Sequence, residues 1–163
     1  MKKIGVFIDV QNIYLTTKAN FGDGKINFTR LREFFLQDRD AKVTFTAFTC
    51  YDESNDEQMG FLNALGLLGF RVVAKPIRHI QPGNIVKANM DLDMAIEVLA
   101  VAPHLDEIVL VTGDSDFRAL VDFLARSGKY VRVVGPDRFS SPELIQAAHE
   151  FINLHRIEGI RDF

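Results

Sequence analysis

Asp114 and Asp116 follow the apolar run Val109-Leu110-Val111 across the short turn Thr112-Gly113. A buried strand that stops at a polar, glycine-containing turn and opens into a helix is where a parallel α/β sheet places its chemistry. Further acids occupy comparable positions. Asp9 ends the apolar run Ile4-Gly5-Val6-Phe7-Ile8, and Asp91 and Asp93 open a helical stretch. The carboxyl ends of all strands in a parallel sheet share one edge, so Asp9 and Asp114 fall on the same rim. A helix entering from that rim brings Asp91 within reach.

Carboxylates packed together repel. Each pair at ~4 Å costs about 1 kcal/mol in water and about 4 kcal/mol at an effective dielectric near 20. Uncompensated, some would stay protonated. A divalent cation removes the penalty, and a hard, all-oxygen site suits Mg2+ or Mn2+. Such an ion polarises a phosphodiester and activates water for in-line attack, so no Ser, Cys or His nucleophile is required.

Each acid also has a plainer reading. Asp114 suits a helix N-cap with Asp116 complementing the dipole of the first turn, and Asp91 suits a cap or first-turn acid equally. Asp9 closes an apolar strand and has no evident capping duty. Asp91 and Asp93 lie about 200° apart on a helix, so both cannot face one site. Asp91 is the better candidate, with Asp93 left as a supporting or water-mediated group. Asn12 is either a helix-start residue or an amide that orients Asp9. Lys87 and the basic connection around it (Lys75, Arg78, His79) are solvated charges or phosphate contacts. Glu97, Asp106 and Asp122 read as solvent-facing.

Strands and helices alternate along the chain. Strands are expected at Ile4–Ile8, Lys42–Thr49, Phe70–Ala74, Asp106–Val111 and Tyr130–Val134, with a final short one over Phe151–Leu154. Between them, helices are expected from Ile13, over Arg30–Leu36 with Thr29 as cap, and over Glu57–Leu68 with Phe61, Leu62, Leu65 and Leu68 inward. Another runs to about Val101 with Leu92, Ala95, Ile96 and Leu99 inward. The helix after Asp114 buries Phe117, Leu120, Val121 and Leu124, and Pro142 opens the last one. Lys75 to Lys87 reads as an exposed loop or small hairpin. This pattern predicts an α/β protein, a three-layer α/β/α sandwich with a mainly parallel five- to six-stranded sheet. No composition break divides residues 1–163, so one domain is expected.

Composition narrows the function classes. With 163 residues and 47% hydrophobic content, the chain can bury a proper core. A net charge of −3 gives no global positive field for tight duplex binding. The lone Cys50 forms no internal disulfide and no cysteine zinc cage, and the four histidines show no paired ligand spacing. Ile4 to Val10 is too short for a signal peptide, and no apolar run reaches the ~20 residues of a membrane helix. The expectation is a cytoplasmic protein with no membrane association. Its size class alone suggests a homodimer.

Three segments occur together: Phe7-Ile8-Asp9-Val10-Gln11-Asn12, Lys87-Ala88-Asn89-Met90-Asp91-Leu92-Asp93 and Val111-Thr112-Gly113-Asp114-Ser115-Asp116-Phe117. In this order and separation they resemble the NYN domain, the PIN-like nuclease group that includes bacterial LabA-like proteins. The resemblance spans Ile4 to about Leu154, and Gly-Asp-Ser-Asp-Phe is its most specific element. It implies a PIN-like fold whose acidic cluster binds Mg2+ or Mn2+ and cleaves RNA, single-stranded or structured. Carried over by position, Asp9, Asp91, Asp114 and Asp116 would be the metal-binding, catalytic carboxylates with Asn12 beside them. Thr112 and Ser115 would tie down the turn or bond a water or phosphate; apart from the resemblance, Lys87 and Arg78 are the residues of the basic connection that would touch substrate. Gln11 and Ala88 depart from the pattern, where a small or acidic residue and a glycine are frequent. Neither change removes a carboxylate.

Three rivals differ in kind. A NYN-like module that binds RNA or protein without cleaving would suit the acidic pI. A haloacid-dehalogenase-type phosphotransferase would want an acid where Gln11 stands. A nucleotide-binding Rossmann domain would want Gly-x-Gly-x-x-Gly after the first strand, which is missing.

Overall fold

The structure, a computed structural model, describes the backbone of residues 1–81, 84–86 and 89–163 and the side chains of 1–77 and 89–163. The chain runs β1 (Lys2–Asp9), α1 (Val10–Phe21), α2 (Phe28–Phe35), β2 (Ala41–Tyr51), α3 (Asp56–Leu67) and β3 (Arg71–Pro76). A hairpin, β4 (Arg78–Gln81) and β5 (Asn84–Val86), precedes α4 (Asp91–Val101). Then come β6 (Glu107–Val111), α5 (Arg118–Arg126), β7 (Tyr130–Gly135), α6 (Pro142–Ala147) and β8 (Glu150–Asn153).

The main sheet has six strands in the order β3-β2-β1-β6-β7-β8, and every pairing is parallel. β1 shows why both faces must be covered. Ile4, Val6 and Ile8 enter one core with Ile13 of α1, Leu31 and Phe35 of α2 and Leu65 of α3. Phe7 enters the other with Met94 and Val98 of α4, Leu120, Val121 and Leu124 of α5 and Leu144 of α6. β6 alternates likewise, Val109 and Val111 to the first core and Ile108 and Leu110 to the second. Continuous apolar strands are the mark of a sheet buried on both sides. The expected three-layer α/β/α sandwich is what forms, with six strands.

Topology fixes where a site can lie. From β1 the chain winds outward through β2 to β3, then returns to pair β6 against the other side of β1 and winds outward through β7 to β8. The reversal opens a crevice at the carboxyl ends of β1 and β6, the usual ligand position in such sheets. Ile8 pairs with Val111 there, one residue before Asp9 and three before Asp114.

Several elements differ from their sequence expectation. The basic connection is a hairpin, the second of its two expected forms. α2 starts on Asn27, whose side chain accepts the Arg30 N–H at 3.0 Å, so Thr29 lies inside the helix. In α3 only Leu65 is buried. In α4 the expected inward face is turned part-way round: Met94 and Val98 are buried with Ala95 half-buried beside them, while Leu92 is 71% and Ile96 57% exposed. Apolar residues cover most of the circumference of that helix and leave only a narrow polar strip at Asp93 and Glu97, so periodicity set its phase loosely. Asp91, Met94 and Val98 share one stripe (i, i+3, i+7). Burying the two apolar residues therefore aims Asp91 at the rim.

Candidate acidic site at the sheet switch point

Asp9 is the buried member of the site, and it has a capping duty that the sequence did not suggest. Its Oδ1 accepts the Asn12 N–H at 3.2 Å and so caps α1, which begins at Val10. Its Oδ2 accepts the Thr112 hydroxyl at 3.1 Å. Asn12 in turn accepts the Gly113 N–H at 2.9 Å through its side-chain oxygen. The β1–α1 corner and the turn after β6 are thus stitched together by two side chains one helical turn apart. Gly113 is required by space: a Cβ there would meet Pro136 Cδ at 2.9 Å and the Phe139 carbonyl at 3.1 Å.

Thr112 is fully buried and its hydroxyl serves two masters, donating to Asp9 and accepting the Asp114 N–H at 3.2 Å. Thr112→Val should therefore destabilise the protein by about 1–3 kcal/mol, because two polar groups in a tight place each lose a partner. A fall in the urea midpoint with unchanged m-value would register it. An unchanged midpoint would show that the hydroxyl carries no such load.

Asp114 opens the 3-10 turn Ser115–Phe117, its Oδ1 accepting the Asp116 N–H at 2.9 Å. Asp91 is the first residue of α4, and the Asn89 side-chain oxygen accepts its N–H at 2.6 Å. Asn89 has no functional assignment in the sequence reading. The one available signal was an Asn two residues ahead of an acid at a helix start. Carboxylate oxygens of Asp9, Asp91 and Asp114 all lie within 4.8 Å of one another.

The other sequence candidates are placed as follows. Asp116 is exposed and outside that trio, although its charge reaches Asp91. Ser115 is exposed beside it. Asp93 turns away and pairs with Lys75 Nζ at 2.9 Å. Glu97 pairs with Arg71, Asp122 with Arg118 at 3.7 Å, and Asp106 accepts the Lys3 N–H at 2.8 Å. Lys87 and the side chains of Arg78 and His79 lie outside the described residues.

The electrostatics follow from the crowding. Burial, with the negative charge of Asp91 adding to it, lifts the Asp9 carboxyl from 3.8 to about 6 against the bond from Asn12. Burial and then the charge of Asp114 lift Asp91 from 3.8 to about 6. Near neutral pH both are ionised at a cost, the condition a bound cation relieves. The donor set fits one. Mg2+ bonds oxygen at about 2.0–2.1 Å, which puts oxygens on opposite sides of the ion about 4 Å apart, and carboxylates already gathered within 4.8 Å need only a small closure to reach it. Elsewhere, a cavity of about 250 Å3 opens at the amino ends of the strands. There Lys2 pairs with Asp38 at 3.2 Å and Arg132 with Glu107 at 2.6 Å, and Glu150 accepts the Tyr130 hydroxyl at 3.3 Å. Among the described residues no helix is long and apolar enough to cross a membrane.

Known proteins show the same arrangement of chain. The NYN domain family model matches residues 3–155. The low amplitude and bright protein LabA of Synechococcus elongatus is 26% identical over 164 residues, covering 96% of this chain and 86% of that protein. A crystal structure of VPA0982 from Vibrio parahaemolyticus, described as a protein of unknown function, superposes with a TM-score of 0.81 at 28% identity. It covers 94% of this chain and 93% of that one.

Proposed function

The chain belongs to the NYN domain family, and from that premise we propose that it is a metal-dependent ribonuclease hydrolysing RNA phosphodiester bonds within the strand. One observation carries the reading: three carboxylates from three separate elements converge within 4.8 Å at the switch point. Sheet topology and the buried face of α4 bring the three acids to one place, and their crowding there is costly without a cation.

Asp9, Asp91 and Asp114 would hold Mg2+ or Mn2+, which when bound polarises the phosphate and lowers the pKa of water. The protein's own part is positional. Thr112 and Asn12 fix Asp9 and the Gly113 turn, so the rim is pre-organised before substrate arrives. Asp9 and Asp91, lifted to about 6, are deprotonated and ready for a cation at neutral pH. Exposed Asp116 would bond the water shell of the ion or a second ion. Lys87 and Arg78 are proposed substrate contacts.

Cleavage of a mixed pool of single-stranded and structured RNA tests the reading. It should proceed in Mn2+, stop in EDTA and resume with excess Mn2+. Cleavage that EDTA leaves intact would contradict it. The net charge of −3 favours a second reading, a regulatory module that binds RNA or protein. Weak or absent Mn2+ binding together with no cleavage of the RNA pool would point there.

A further inference from the structure

The loop between β7 and α6 holds a backbone anomaly that the site has not used. Arg138 and Phe139 have φ of 55° and 56°, the two non-glycine residues with positive φ among those described. Such a conformation is strained for bulky side chains, and two in succession where glycine would be comfortable calls for a reason.

Looseness is not the reason, because the loop is pinned on both sides of the pair. The Asp137 N–H donates to His155 Nδ1 at 2.9 Å, its carboxylate accepts Asn153 Nδ2 at 2.9 Å, and its carbonyl accepts Asn20 Nδ2. Beyond the pair, the Ser140 hydroxyl donates to the Pro136 carbonyl at 2.8 Å. The Ser141 N–H donates to the Gly113 carbonyl at 3.1 Å. That last bond ties the loop to the residue directly before Asp114. Core packing is not the reason either. Phe139 is 60% exposed, and Arg138 is exposed with no ion pair among the described residues.

We propose that Arg138 and Phe139 form a platform for single-stranded nucleic acid beside the acidic rim. Phe139 stacks on one unpaired base, and Arg138 engages a neighbouring phosphate. This rests on the ribonuclease reading and gives its substrate class as unpaired strands. A base inside a duplex has no free face to offer. Every base has a π-face, so the platform tolerates sequence, and its cation offsets locally the repulsion between an acidic rim and a polyanion.

The test uses the full chain and a fluorescein-labelled oligouridylate of about 12 nucleotides. Affinity is read by anisotropy with Ca2+ in place of Mn2+, and turnover of the same strand is read with Mn2+. Phe139→Ala should weaken binding about 5- to 100-fold, the loss falling in KM more than in kcat. Phe139→Tyr should retain affinity, whereas Phe139→Leu, of similar bulk but without a π-face, should not. Arg138→Ala should reduce the salt slope of binding by about 1. Phe139→Gly should raise the melting temperature while weakening binding, a pairing that a purely structural residue would not give. If the wild type cleaves the strand and Phe139→Ala and Phe139→Leu match its affinity and KM, the platform is wrong and the ribonuclease reading stands. A wild type that cleaves the mixed RNA pool but does not bind the strand overturns the platform alone. Binding that depends on Phe139, with no cleavage of the strand or of the mixed RNA pool, supports the platform and overturns the ribonuclease alone.

Discussion

Asp9→Asn is expected to make the metal-free protein more stable near neutral pH while lowering RNA cleavage by about 10^3-fold or more. The two effects have one cause. Asp9 is buried and its carboxyl is lifted from 3.8 to about 6. Below about pH 4 it is protonated in both the folded and unfolded chain, and folding carries no penalty from it. Between about 4 and 6 the unfolded chain ionises first, so the penalty grows with pH, and above 6 it is complete. The shift corresponds to at most ~3 kcal/mol. Asparagine keeps the oxygen that caps α1 and can bond Thr112, so the penalty goes while the cap remains. A gain of about 1–3 kcal/mol would raise the melting temperature by several degrees in a chain of this size. Cleavage falls because a neutral amide is a poor substitute for the buried carboxylate ligand, a loss typical of removing a group that acts on developing charge. A melting curve and a cleavage assay on one preparation check both. A variant less stable than the wild type and equally active would refute the assignment.

The second large effect is in pH. Asp9 and Asp91 are each raised to about 6, chiefly by burial with the charge of Asp114 adding to both, so protons compete with the cation for two ligands. At about pH 5 each carries its proton roughly nine times in ten. Mn2+ should then bind about 100-fold more weakly than near pH 7.5. Thermal stabilisation by millimolar Mn2+ should consequently be large near neutral pH and nearly absent at pH 5. The metal-free protein should move the opposite way, gaining stability as pH falls from 7 towards 5. Equal Mn2+ affinity at the two pH values would show that these carboxyls are not the ligands.

The sequence carries the architecture because local signals and the global fold agree. Short β-branched runs such as Ile4–Ile8 and Val109–Val111 can be buried only between two layers of helices, and the alternation with amphipathic α5 supplies those layers. It also carries the convergence of Asp9 and Asp114, since a parallel sheet leaves no other edge for both. What it hides is orientation within the rim. α4 is apolar over most of its circumference, so of its expected inward face of Leu92, Ala95, Ile96 and Leu99 only Ala95 meets the core, beside the fully buried Met94 and Val98. The phase of the helix turns Asp91 to the rim and hands Asp93 to Lys75. Asp9 as a helix cap depended on α1 beginning at Val10 rather than Ile13, a boundary that no apolar pattern marks. The strained pair Arg138-Phe139 was invisible for a related reason: left-handed backbone is announced by Gly or Asn, and neither is present.

The central claim is that the three converging carboxylates hold the ion that cleaves RNA. Initial cleavage rate against Mn2+ concentration, for the wild type beside Asp114→Asn, meets it most directly. Asparagine keeps the oxygen that caps the Ser115–Phe117 turn, so the variant should melt no lower than the wild type. The account predicts a saturable Mn2+ dependence in the wild type and no measurable cleavage in the variant at any Mn2+ concentration. An Asp114→Asn curve that overlays the wild type would contradict it.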